Sequence, residues 1–137
     1  MMRRLSSGLF ACLLLWALLF STQAIAQKSR AYRGKTSQGK AIQIASSPGM
    51  IAPIRFKVKM LCRDGSLLFG DASDFEATAL SASGHFSDTQ YGTTDTVNWT
   101  GKLLGAKISG TLRVIDRLQS GVRCDSGTVH FTAKTGR

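Results

Sequence analysis

Between Ile54 and Arg63 two kinds of side chain take turns. Ile54, Phe56, Val58, Met60 and Cys62 alternate with Arg55, Lys57, Lys59, Leu61 and Arg63. A period of two is the repeat of an extended strand, whose successive side chains leave opposite faces. One face of such a strand must enter a core, and the other, almost wholly cationic, must face water. Asp64-Gly65 closes the run with a hairpin dipeptide. This segment commits the chain to a sheet with one dry side and one wet side.

The rest of the chain agrees with it. Turn signals recur every eight to twelve residues or so, separated by short apolar-polar alternations, and no helical periodicity competes. Arg30 to Thr36 reads as a strand, Ser37-Gln38-Gly39-Lys40 as a turn, and Ala41 to Ser46 as the partner strand with Ile42 and Ile44 on one face. Ser47-Pro48-Gly49 is a second turn, in which proline presets φ and glycine accepts a positive φ. Ser66 to Tyr91 carries the weakest pattern, with strands expected at Leu67 to Phe69 and leading into Leu80, before Ser83-Gly84 turns the chain into His85-Phe86. A long hairpin follows: Val97, Trp99, Gly101 and Leu103 face inward, Gly105-Ala106 turns, and Ile108, Leu112 and Val114 face inward on the return. These elements predict an all-β fold, a small antiparallel β-sandwich or open barrel of seven to nine strands.

The N-terminus places that domain outside the cytoplasm. Arg3 and Arg4 precede an apolar run from Leu9 to Phe20, and Ala24-Ile25-Ala26 offers small residues where a signal peptidase reads them. At twelve residues the run is shorter than the ~20 a membrane span requires. Residues 1–26 are therefore expected to be a cleaved signal peptide, leaving residues 27–137 as one secreted, periplasmic or envelope-associated domain with no transmembrane span. The twin arginines lack the fuller pattern of a twin-arginine signal, and Cys12 stands too early in the apolar run for a lipoprotein.

Processing leaves sixteen basic and eight acidic residues, a charge of about +8. That excess favours anionic partners: an envelope polymer, or an acidic protein. Cys62 and Cys124 are the cysteines that remain, and in an oxidising compartment a pair closes into a disulfide.

The last segment contains a conflict. Cys124 is at an even position, whereas the core face of Thr128 to Lys134 is odd: Val129, Phe131 and Ala133. One continuous strand cannot serve both, so a register break is predicted at Asp125-Ser126-Gly127.

Tyr32-x-Gly34-Lys35-Thr36-Ser37-Gln38-Gly39, Cys62-x-Asp64-Gly65, Gly84-x-Phe86 and Cys124-Asp125-Ser126-Gly127-x-Val129-x-Phe131-Thr132-Ala133 together resemble a set of exported bacterial β-domain proteins of unassigned function. The resemblance implies an all-β fold with the two cysteines paired. It brings no activity, substrate or catalytic residue.

Motifs that suggest chemistry are each outweighed by a structural role. Gly34 to Lys40 has the spacing of a phosphate-binding loop, but Ala41 replaces the hydroxyl residue that holds magnesium, and the segment reads as a hairpin rather than a strand entering a helix. No nucleotide is expected. Asp125-Ser126-Gly127 matches the aspartic-protease tripeptide but follows Arg123 and a disulfide cysteine. His85 and His130 lack closely spaced co-ligands, so neither a metal nor any other cofactor is expected. Adjacent strand positions point apart, so His85, Ser87 and Asp88 form no catalytic triad. Trp99 reads as a core anchor, and Asn98-Trp99-Thr100 as a glycosylation sequon relevant only to a eukaryotic producer.

No catalytic residue is assigned. The expected function is a non-enzymatic binding domain whose anion-binding residues are Arg55, Lys57, Lys59 and Arg63, against a background in which exposed strands carry such charges merely to protect edges. The competing class is a secreted inhibitor or small enzyme with a loop-built cleft, and a third is a purely structural role.

Overall fold

Each turn signal bends the chain where it stands in the computed structural model, which describes residues 29–136. The expected signal segment, residues 1–26, lies outside the described residues. Strand β1 (Arg30–Thr36) turns into β2 (Ala41–Ser47), β2 into β3 (Met50–Cys62), and β3 into β4 (Leu67–Ser73). Gly39, Gly49 and Gly65 make those turns with φ of 71°, 71° and 85°, where a side chain would be strained. Then come β5 (Thr78–Ala79), β6 (His85–Tyr91), β7 (Asp95–Leu104), β8 (Lys107–Arg117), β9 (Arg123–Asp125) and β10 (Val129–Thr135). The described residues thus form ten strands rather than seven to nine. The excess is β9, which at three residues is too short to show an alternation, whereas β5 is the strand expected to lead into Leu80.

All pairings are antiparallel, and six strands close on themselves. The order β10-β1-β2-β3-β9-β8 returns to its start because β8 also pairs with β10. Of the two architectures left open by the strand pattern, the barrel is the one formed, and its ring is shut. Strands β7 and β6 extend from the far edge of β8, and β4 and β5 from the far edge of β3.

Two one-residue insertions shape the ring. Asp125 stands opposite Ile115, yet Val129 stands opposite Leu112, so three residues of the chain oppose two of β8. This is the predicted register break at Asp125-Ser126-Gly127, with Gly127 at φ 63°. It lets Cys124 and then Val129, Phe131 and Ala133 all face inward. The second insertion corrects the sequence reading. Gln43 pairs with Arg55 but Ile44 pairs with Pro53, leaving Ile54 as the extra residue of a bulge. Ile54 is therefore 44% exposed rather than a core residue, and Pro53 and Ile51 are buried in its place. A bulge is where a strand tolerates a proline, which has no N–H for the ladder.

The core inside the ring is made of Tyr32, Ile42, Ile44, Phe56, Val58, Ile108, Leu112, Val129 and Phe131, each at most 3% exposed. Trp99 and Phe86 extend it beneath β6 and β7, their rings 4.5 Å apart. Cys62 and Cys124 are directly opposite on β3 and β9 and are joined by a disulfide. That seam needs the help, since only Leu61 and Cys62 of β3 pair with β9.

Between Phe56, where pairing with β2 ends, and Leu61, where pairing with β9 begins, this edge of β3 has no partner strand. The side chain of Gln38 fills the gap. Its Nε2 donates to the Lys59 carbonyl at 2.9 Å and its Oε1 accepts from the Lys59 amide at 2.8 Å, as a strand residue would.

Candidate anion-binding face

Strand β3 presents Arg55, Lys57 and Lys59 outward as expected, with Arg63 just past its end, and all four are exposed. What the sequence does not show is their partner strand. In the β3–β4 hairpin Lys57 stands opposite Asp71 and Lys59 opposite Phe69. Asp71 also holds the Arg55 guanidinium at two points, Nε to Oδ1 at 2.9 Å and a closer Nη2 to Oδ2 contact. The bond from Arg55 pulls the Asp71 carboxyl below its ordinary pKa, and Asp71 raises that of Arg55. One of the four charges is neutralised, and a second lies beside the same carboxylate.

A denser basic surface begins two strands away, at Arg33, which Gln43 separates from Arg55 in the same cross-strand row. Arg33 on β1 is directly opposite Lys134 on β10, and Lys134 is directly opposite Lys107 on β8. The next row across the same strands reads Lys35, Thr132, Ser109, Lys102 and, on β6, His85. Neither row contains a carboxylate. Among the described residues the ion pairs join Arg55 to Asp71 and Arg113 and Arg123 to Asp125, so Arg33, Lys35, Lys102, Lys107 and Lys134 take part in none. Like charges directly opposite in neighbouring strands destabilise a sheet, so this row carries a cost that packing does not explain. Sequence reasoning missed it because the cations are spread over four strands, and only the closure of the ring brings them together.

The two histidines stand at the margins of this face. His85 and His130 are exposed, and with Lys102, Ser109, Thr111 and Thr132 they border an open depression of about 500 Å³. Beneath it Gly101 faces Gly110 across β7 and β8. A Cβ on Gly101 would come within 2.6 Å of the Phe86 ring, and one on Gly110 within 3.0 Å of Phe131. The pair of glycines lets two core aromatics lie directly under a surface of ammonium and hydroxyl groups. Among the described residues no group of three or more His, Cys, Asp or Glu is placed to hold a metal ion.

Acidic groups gather at the opposite end of the same strands. Asp95 is opposite Asp116 where β7 and β8 part, while Leu104 and Lys107 are opposite at their hairpin turn. Nine residues of strand put these ends about 30 Å apart. Asp95, Asp88, Asp74 and Glu76 line a cleft of about 470 Å³. Burial acts to raise the Asp88 pKa, but bonds donated by Gln90, Thr78 and the Thr89 amide outweigh it, and the carboxyl is held below its ordinary value.

The remaining motifs have structural roles. The amides of the Gly34–Lys40 segment serve the β1–β2 hairpin, Thr36 N–H donating to Lys40 and Gly39 N–H to Thr36. Asp125 accepts from Arg113 at 2.9 and 2.6 Å and from the Gly127 amide at 2.9 Å, which secures the corner between β9 and β10. Ser126 bonds across to Val114. Trp99 is 3% exposed, a core anchor as expected.

No family model, curated protein or solved structure matches this chain. The described residues contain no helix long and apolar enough to cross a membrane, and the chain carries a disulfide. Both observations are compatible with a place outside the cytoplasm.

Proposed function

We propose that the chain is exported, loses residues 1–26, and serves as a non-enzymatic binding domain of the envelope or exterior that holds an anionic polymer against its basic face. The observation that carries this reading is the row Arg33, Lys134 and Lys107, three cations directly adjacent on three strands with no carboxylate among them. Thr132, Ser109 and Thr111 beside it supply hydroxyl donors to phosphate, sulfate or carboxylate oxygens. The acidic cleft, whose Asp95 end lies about 30 Å from Lys107 along the strands, repels the same ligand, so the field orients its approach. Arg55, Lys57, Lys59 and Arg63 of the β3 stripe add positive charge beginning two strands from Arg33, with Arg55 already paired to Asp71.

The test uses duplex DNA as a convenient polyanion. Binding should weaken with salt, and the triple variant R33Q/K107Q/K134Q should flatten the log–log salt slope by roughly two to three units, one per lost phosphate contact. Its stability should hold or rise, because the substitutions remove cross-strand repulsion. A folded triple variant with wild-type affinity and slope overturns this reading. N-terminal sequencing of protein recovered outside the cytoplasm should begin at Gln27, and a chain beginning at Met1 refutes export.

A further inference from the structure

The outward face of the β3–β4 hairpin combines charge with something the basic row lacks. Leu61, Leu67 and Phe69 are 60%, 55% and 63% exposed. Leu61 and Leu67 are directly opposite, and Phe69 follows two positions along on the same face, opposite Lys59. Large apolar side chains scattered singly over a surface need no explanation, but three in mutual reach at one hairpin end do. Cations surround them. The Lys40 ammonium lies 5.5 Å from the centre of the Phe69 ring, Lys57 and Lys59 continue along β3, and Arg63 leads into the turn. Counting Arg55 as well, five cations share this face with two carboxylates, and both of these are engaged: Asp71 by Arg55, and Asp64 by the Ser66 amide at 3.0 Å and hydroxyl at 2.6 Å. The patch therefore has a net charge of +3.

We propose that this hairpin face docks on an anionic phospholipid surface, with Leu61, Leu67 and Phe69 entering the boundary between headgroups and acyl chains while Lys40, Lys57, Lys59 and Arg63 meet the phosphates. The inference goes beyond the polymer-binding reading and rests on a different element, the β3–β4 hairpin. The combination of apolar and basic groups selects the occupant. An anionic leaflet receives both kinds at once, apolar groups about 5–10 Å deep and lysines at the headgroups. A soluble polyanion satisfies the charges and leaves the leucines and phenylalanine in water. A second copy docked by two-fold symmetry would bury the apolar trio but set one +3 patch against another.

The experiment is cosedimentation of the disulfide-bonded protein with vesicles of phosphatidylglycerol and phosphatidylcholine in equal parts, and with vesicles of phosphatidylcholine alone, at ~50 mM salt, where screening is weak. Wild-type protein should partition onto the anionic vesicles and not the neutral ones. The variant L67S/F69S should lose about tenfold or more in partition, since it removes much of the apolar area offered to the lipid. The variant K57Q/K59Q should lose roughly twenty-five-fold, about fivefold for each lysine. Both pairs are exposed, so circular dichroism and Tm should match wild type. R33Q/K107Q/K134Q separates the two proposals. If it abolishes vesicle binding while L67S/F69S leaves it intact, the basic row alone is responsible and the hairpin proposal fails. Absence of wild-type binding to anionic vesicles also overturns it, whether or not DNA is bound. So does a wild-type dimer that L67S/F69S converts to a monomer, because the patch is then a self-interface.

Discussion

Thr78 is the hinge of a short polar chain buried under β7, and replacing it with valine isolates what that chain contributes. The Trp99 indole Nε1–H donates to Thr78 Oγ1 at 3.2 Å, and Thr78 Oγ1–H donates to Asp88 Oδ2 at 2.9 Å. Thr78 and Trp99 are 6% and 3% exposed. Valine keeps the shape and the β-branch but leaves the indole N–H buried without an acceptor, which costs about 1–3 kcal/mol. Asp88 loses one donor of three and retains Gln90 at 3.1 Å and the Thr89 amide at 2.8 Å, so its share is small. T78V should therefore destabilise by about 2 kcal/mol in urea unfolding followed by circular dichroism, a fall of roughly 8–10 °C in Tm for a domain of this size. T78S keeps the hydroxyl and gives up one methyl, for a loss of about 1 kcal/mol. The variant should also change the acid limb. Asp88 has a folded pKa below its unfolded value, so its contribution is present above about pH 4 and is lost as pH falls through the folded value. Removing a donor brings the two values together, and the gap between T78V and wild type should narrow below about pH 4. The reasoning is refuted if T78V lies within about 0.5 kcal/mol of wild type, or if T78S is as unstable as T78V.

Two further predictions concern the ring. Replacing both cysteines with alanine should cost roughly 4 kcal/mol on the chain-entropy model, since the bridge spans 62 residues, and thiol titration of the unfolded, unreduced wild-type protein should find no free thiol at Cys62 or Cys124. A loss below about 1 kcal/mol would mean that the short β3–β9 seam holds without the bridge. Q38A should cost about 1 kcal/mol and speed hydrogen exchange at the Lys59 amide; unchanged exchange there would show that Gln38 does not stand in for a strand.

How much was legible in the sequence follows from the range of each interaction. The β1–β2, β3–β4 and β7–β8 hairpins were readable because turn residues and a period of two are local. The register break after Cys124 was readable because the parity conflict involves only nearby residues. Ile54 was misplaced for the opposite reason: the alternation through it is unbroken, and only the register of β2 against Pro53 and Arg55 reveals the bulge. Asp71 was hidden in a segment whose alternation is weak because its outward residues include Leu67 and Phe69. The row Arg33, Lys134 and Lys107 joins strands about a hundred residues apart, and no local pattern carries such a signal. Gln38 was visible as part of a turn, but its use as a substitute strand depends on where β2 stops.

Tyr32, near the start of β1, stands opposite Thr135, near the end of β10, so the first and last strands of the described chain are neighbours. Synthesis delivers them at opposite times. Strand β1 can pair with β2 as soon as that hairpin emerges, but its other edge, and the Lys107–Leu112 half of β8, stay bare until residues 129–135 arrive. The barrel has no stable partial version in which those edges are satisfied. A chain still being made therefore remains an open sheet, and it locks only when residues 129–135 are released.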